Sequence, residues 1–288
     1  MNSKQFKQWC EAYSQSALTS LPPKPLIMGI LNITPNSFSD GGDYYSVESA
    51  VARAHKMIAE GADLIDIGGE SSKPSAVAVS TAEELARVIP VIERLRSESD
   101  ICISIDTTKA DVMQAAVKAG ASIINDITAL GSKESLAMAA ILDVPICLMH
   151  MQGEPETMQN NPQYTRDVVE EVNGFFLQRI SDCIRAGIKT ENLILDPGFG
   201  FGKKPGHNLR LVKQIATFQQ HHLPLLLGVS RKSTLGAVLG KPVEQRLIGG
   251  LAIAVFAALQ GVSIIRTHDV DETNQALVMV QAINNASE

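Results

Sequence analysis

The chain lacks an apolar N-terminal core. Its first 20 residues read MNSKQFKQWCEAYSQSALTS, a polar stretch unlike a secretory signal peptide. It also lacks an apolar run of membrane length. IGGLAIAVFAALQG, among the longest, falls short of a span and is broken by glycines. No block of like charge occurs, and Lys plus Arg number 25 against 31 Asp plus Glu, a formal net charge of −6. A nucleic-acid backbone as main partner would need clustered basic residues, so it is excluded. The four cysteines, Cys10, Cys102, Cys147 and Cys183, form no C-x-x-C pair, and Cys102 and Cys147 fall within apolar runs. They read as reduced, buried thiols of a soluble cytoplasmic protein. There is no low-complexity tract and no interdomain linker.

What is present is a regular alternation. Over 288 residues, 45% of them apolar, short apolar runs recur at 26–32, 63–68, 101–106, 122–127, 144–150, 192–197, 224–230 and 263–268. They are β-branched or leucine-rich and too short for helices, which fits strands buried on both faces of a parallel sheet. Amphipathic segments between them predict helices at 46–60, 81–98, 109–119, 132–142, 165–186, 207–221, 244–260 and 270–284. Thr81 with Glu84 three positions on has the form of a capping box. Eight strands alternating with eight helices predict an α/β fold, a closed (β/α)8 TIM barrel, with an open doubly wound sheet as the alternative. Residues 1–22 are expected to be an N-terminal extension whose helix covers the barrel bottom with Phe6 and Trp9; residues 23–288 form the single barrel domain.

The chemistry lies in what ends each run. The strands terminate at Asn32, Asp106, Asn125-Asp126, His150, Asp196, Ser230-Arg231-Lys232 and Arg266-Thr267-His268. Any one polar tip could be a cap or a solvated loop residue. Seven of eight together point to a site, because barrel geometry converges the C-terminal tips on one mouth. Asp106, Asn125 and Asp196 offer carboxylate and amide groups suited to a heterocycle rich in N–H donors. Lys232, Arg266 and His268 offer positive charge suited to phosphate, against the alternative of a surface ion pair for Arg266 and His268. His150 reads equally well as a histidine bonded only to backbone. The long loops 34–42 and 68–75 suit lids that order around a substrate, or are simple connectors. The Gly198-Phe199-Gly200-Phe201-Gly202 run is neither a dinucleotide fingerprint nor a P-loop, since Pro205 follows Lys203-Lys204. Its glycines are expected to let backbone approach a flat ligand.

The segments GILNITPNSFSDGG, GADLIDIGGESSKP, SIDTTKADV, IINDI, LMHMQGEPETMQ, LDPGFGFGK, LLLGVSRKS and IIRTHDV, in order between residues 28 and 270, resemble the dihydropteroate synthase family. The N-terminal ~20 residues lie outside the resemblance. It implies an enzyme condensing 6-hydroxymethyl-7,8-dihydropterin pyrophosphate with p-aminobenzoate, with Mg2+ as cofactor, two small-molecule substrates, a homodimer built through C-terminal helices, and a sulfonamide target. It implies that Asp106, Asn125, Asp196 and Lys232 hold the pterin, with Met149, Phe201 and Gly228 lining its pocket. Asn32 corresponds to the magnesium ligand, and with Arg266 and His268 it handles the pyrophosphate. Phe38, Ser72, Lys73, Pro74 and Ser230 correspond to the p-aminobenzoate region, and Asp40 to a first-loop residue counted with Asp106, Asp196 and Lys232 among the catalytic groups. The chain departs from the family pattern at Asn36, where aspartate is usual, and at Ser72, Lys73 and Ser75, where Thr, Arg and Gly are usual. Lys73 keeps the charge of arginine but not its fork. Two other readings remain: a corrinoid-dependent methyltransferase for methyltetrahydrofolate, which needs no phosphate anchor, and a pterin-binding regulator without catalysis.

Overall fold

A computed structural model of the chain describes residues 1–15, 24–33, 47–71 and 78–286. In chain order the elements are α1 (Ser3–Gln15), β1 (Leu26–Asn32), α2 (Val47–Ala59), β2 (Leu64–Gly68), α3 (Thr81–Glu98), β3 (Cys102–Asp106), α4 (Ala110–Ala119), β4 (Ile123–Asp126), α5 (Lys133–Leu142), β5 (Ile146–Met149), α6 (Val168–Arg185), β6 (Leu193–Asp196), α7 (Pro205–Lys213), β7 (Leu226–Gly228), α8 (Ser233–Leu239), α9 (Leu247–Leu259), β8 (Ile264–Thr267) and α10 (Val270–Asn284). The eight strands are parallel in the order β6-β5-β4-β3-β2-β1-β8-β7. A parallel bridge between Leu195 and Leu225 joins the two ends, so the sheet closes and the open-sheet alternative falls.

Closure follows from strands that are apolar on both faces. Side chains alternate across a strand, so one set faces the helices and the other the barrel interior. The outward set, including Ile27, Leu31, Ile65, Ile67, Ile103 and Ile105, packs with α2 residues Ala54 and Met57 and α3 residues Val88 and Ile92. The inward set forms its own smaller cluster: Leu26, Met28, Leu64, Cys102, Ile123, Cys147, Ile194, Leu226 and Ile264. Phe6 and Cys10 of α1 complete that cluster from below, with Trp9 packed against it. Burying the whole Phe6 ring contributes roughly 1.5–3 kcal/mol. The bottom of the barrel is thus an apolar plug, and anything polar on the inward face lies above it. All four cysteines are buried free thiols.

Three local expectations are corrected. The segment expected as one helix over 207–221 is α7 followed by a 3-10 turn over Ile215–His221, separated at Gln214. A separate helix, α8, precedes the one expected at 244–260, and its left-handed cap at Gly240 divides the two. The capping box at Thr81 and Glu84 does not form. Ser80 caps α3 by accepting from the Glu83 amide, and Glu84 turns inward and is fully buried.

Candidate active site

The inward column of each strand continues upward past the apolar plug and turns polar near the C-terminal ends. On β2, β3, β4 and β8 it presents Asp66, Asp106, Asn125 and Arg266. The registers Gly68↔Asp106 and Asp106↔Asn125 set neighbouring tips side by side. Arg266 donates through Nε to Asp66 Oδ2 at 2.6 Å and through Nη2 to Asp106 Oδ2 at 2.7 Å. Asn125 Nδ2 donates to the same Asp66 oxygen at 3.1 Å. One guanidinium therefore ties two carboxylates, and an amide completes the cluster. Burial raises the Asp106 carboxyl to about 7, with Asp66 adding to the rise and Arg266 opposing it. Arg266 is not a surface ion pair, and Nη1 makes no hydrogen bond among the described residues.

Asp66 is fully buried and was not among the residues expected in the site. Its signal was present: a carboxylate inside the run DLIDIG, two positions before the strand end, shares a face with the tip.

The second half of the mouth comes from β5, β6 and β7. Met149 and Asp196 are register partners. Asp196 accepts from the Gly198 amide at 2.8 Å, and burial pushes its pKa up against the pull of Lys232. Lys232, at the start of α8, donates to the Phe199 carbonyl and lies 4.2 Å from the centre of the Phe201 ring. Burial lowers its ammonium to about 7, while Asp196 and Asp106 oppose the fall and Arg266 adds to it. Arg266 is felt by Asp106, Asp196 and Lys232 alike, as expected of charges arranged around one mouth. Gly228 pairs with Arg266 across β7 and β8.

Outside this ring, Ser230 lies within hydrogen-bond distance of His268 Nδ1, at 3.0 Å, and its hydroxyl donates to Asp269 at 3.3 Å. Ser230 and His268 thus join the β7 and β8 tips. His150 is not bonded to backbone alone: it is buried, its Nδ1 lies 2.9 Å from the Lys203 side-chain Nζ, and its pKa is held down to about 2 by burial and by Lys203. Lys203 also donates to the carbonyls of Gly198 and Phe201.

The glycine run also answers a packing demand. Gly198 and Gly202 hold left-handed φ values of +67° and +61°. A Cβ at Gly198 would fall 1.8 Å from the His150 carbonyl oxygen, and one at Gly202 2.3 Å from that of Gln152. These two glycines let this loop press against the loop after β5.

Asn32 ends β1 beside Gly68. A Cβ at Gly68 would stand 3.7 Å from Asn32 Oδ1 and 3.7 Å from Asp106 Oδ2, so the glycine keeps the space between the two side chains open. Among the described residues no group of three or more His, Cys, Asp or Glu could hold a metal. Phe38, Asp40, Ser72, Lys73 and Pro74 lie outside the described residues.

Residues 28–268 match the family model described as pterin binding enzyme, which defines the class of barrel. The chain is 51% identical over 264 residues to the dihydropteroate synthase of Escherichia coli (strain K12), covering 92% of this chain and 93% of that protein. Among solved structures, a Yersinia pestis dihydropteroate synthase in complex with a sulfonamide drug superposes with a TM-score of 0.87 at 49% identity, over 91% of this chain and 95% of that one. A Xanthomonas albilineans dihydropteroate synthase in complex with 7,8-dihydropteroate gives 0.84 at 44% identity, over 92% and 95%. The chain belongs to the dihydropteroate synthase family of pterin binding enzymes.

Proposed function

We propose that this chain is a dihydropteroate synthase, joining 6-hydroxymethyl-7,8-dihydropterin pyrophosphate to p-aminobenzoate to give 7,8-dihydropteroate and pyrophosphate. The observation that carries the reading is the ring of inward-facing acceptors, buried Asn125 and Asp196 with half-buried Asp106, set beside Lys232 and Arg266 at the barrel mouth.

The C–O bond between the pterin methylene and the pyrophosphate breaks, and a C–N bond to the aryl amine forms with loss of one amine proton. No side-chain nucleophile is required. The barrel's work is electrostatic and orientational. Carboxylates of Asp106 and Asp196 accept ring N–H groups and favour positive charge developing on the pterin. Asn125 both donates and accepts along the same edge. Lys232 donates toward the ring from the Phe201 side, and Phe201 and Met149 supply flat apolar contact. Arg266, through Nη1, and His268 stand on the side suited to the diphosphate. Phe38, Asp40, Ser72, Lys73, Pro74 and Ser230 belong to the aminobenzoate side in this reading, where closing loops exclude water from the electrophile.

Mg2+ fits the donor set in part. Asn32 offers a hard amide oxygen facing an open space, and such an ion commonly takes its remaining ligands from phosphate oxygens and water. Bound there, it would supply counter-charge to the departing diphosphate.

The homodimer is part of the same proposal. Ile248 and Phe256 of α9, and Met279 and Ile283 of α10, are large apolar side chains left on the surface, with Ile283 68% exposed. An exposed apolar face of this kind suits a second copy. No helix among the described residues is long and apolar enough to cross a membrane. Buried free thiols agree with the cytoplasmic setting expected from the sequence.

The test is release of pyrophosphate from the pterin substrate, with and without p-aminobenzoate and with and without Mg2+. The reading requires release that depends on p-aminobenzoate and stops with a chelator. Pterin binding without release would favour the regulator; methyl transfer to a corrinoid protein would favour the methyltransferase.

A further inference from the structure

The proposed reaction gives Asp66 no task, yet Asp66 sits beneath the centre of the ring. It lies two positions before the end of β2, on the inward face, with apolar Leu64 one inward step below it and Ser104 as its register partner on β3. Its side chain is fully buried. One oxygen, Oδ2, accepts both from Arg266 Nε at 2.6 Å and from Asn125 Nδ2 at 3.1 Å. The other, Oδ1, has no hydrogen-bond partner among the described residues, and neither has Ser104 Oγ.

Stability does not call for this arrangement. A carboxylate out of water with one oxygen unanswered carries a desolvation cost, and replacing a buried ion pair by apolar residues is often neutral or stabilising. What the carboxylate supplies is polarity. Paired with a guanidinium, it only accepts, so each neighbour has to turn a donor toward it. Asn125 therefore presents its NH2 end to Asp66, and its carbonyl oxygen points away. The strand registers set Asn125 level with Asp106 and Gly68, one inward step above Asp66, so that away from Asp66 is toward the mouth. An amide beside a hydroxyl or another amide could face either way. Beside this carboxylate it has one choice.

We infer that Asp66 is a positioning residue that acts through Asn125: from beneath the ring it fixes which end of that amide meets the heterocycle. It touches no substrate. Arg266 holds the carboxylate in place, and Asp66 in turn sets the donor and acceptor pattern that the ring offers. The inference rests on the reading of the ring as a pterin site.

The experiment is a double-mutant cycle. 6-Hydroxymethylpterin, which lacks the diphosphate, is titrated into wild type, Asp66→Ala, Asn125→Ala and the double variant. Exchange of the Asn125 side-chain N–H protons, followed by NMR in wild type and Asp66→Ala, is an independent readout. Asp66→Ala should weaken binding about tenfold in the wild-type background and less than about twofold where Asn125 is already alanine. The Asn125 protons should exchange faster in Asp66→Ala. A general loosening of the barrel would give the same loss in both backgrounds, and that result overturns the inference, as does unchanged affinity in folded Asp66→Ala. If Asp66→Ala does not fold, Asp66→Asn takes its place in the cycle, since it keeps the shape but lets either end of the Asn125 amide face it. A loss of about threefold or more that disappears in the Asn125→Ala background is then expected; no loss, or an equal loss in both backgrounds, overturns the inference. A wild type that binds no pterin sinks the proposed function, and the Asn125 exchange rates then decide the positioning role, with equal rates in wild type and variant overturning it.

Discussion

Asp106 is under two opposed demands. Under the proposed function its carboxylate accepts hydrogen bonds from a ring, yet it is half-buried beside the fully buried Asp66, and one guanidinium serves both. The outcome is a carboxyl raised to about 7 by burial, with the Arg266 charge preventing a further rise. The sign for stability follows. An acid raised in the folded state holds a proton that the unfolded chain has released, so between about pH 4 and about 7 the ligand-free protein loses stability as pH rises. Asp196 and Asp126 shift in the same direction, each chiefly through burial. Ligand binding runs the other way: a pterin N–H needs the carboxylate, so affinity should fall as pH drops below about 7. Titration of a pterin at several pH values checks this. Asp106→Asn should bind weakly and with little slope across that range; an unchanged slope would move the titrating group elsewhere.

At the scale of elements, the loop after β6 shows how backbone demands and site demands combine. Gly198 and Gly202 are fixed by left-handed backbone and by contact with the carbonyls of His150 and Gln152, and Lys203 stitches the same two loops from beneath. Gly198→Ala should therefore lower Tm sharply or prevent folding, whereas Gly206→Ala, in the first turn of α7 with nothing within 4 Å, should be neutral or slightly stabilising. Thermal melts of the two variants separate these outcomes, and equal melts would contradict the packing described. Elements of this kind were legible to different depths. The strands were plain, because runs such as ICISID and SIINDI are apolar on both faces, and each ends on a polar tip. Asp106, Asn125, Asp196 and Lys232 could be read for the same reason. Asp66 was hidden by its apolar neighbours, and the break at Gln214 by helical periodicity on either side of it. Lys109 and Glu84 looked like an ordinary helix start and half of a capping box. Only the fold brings Glu84 inward to meet Lys109, 25 residues away.

For the molecule as a whole, the barrel separates duties along its axis. Its bottom is an apolar plug closed by α1 through Phe6 and Cys10, and its top is a polar ring assembled from distant strands. The outside at α9 and α10 keeps an apolar face that the fold does not cover. Sedimentation should show a dimer, and Met279→Glu with Ile283→Glu should shift it to monomer; a monomeric wild type would remove the homodimer from the account. The central claim is that the ring at the mouth holds a pterin. Equilibrium titration of the pterin pyrophosphate into wild type and Asp196→Asn tests it most directly. A hydrogen bond to a charged group is worth about 1.5–3 kcal/mol, so the variant should bind at least about tenfold more weakly while melting close to wild type. Equal affinity in the two proteins would contradict the claim.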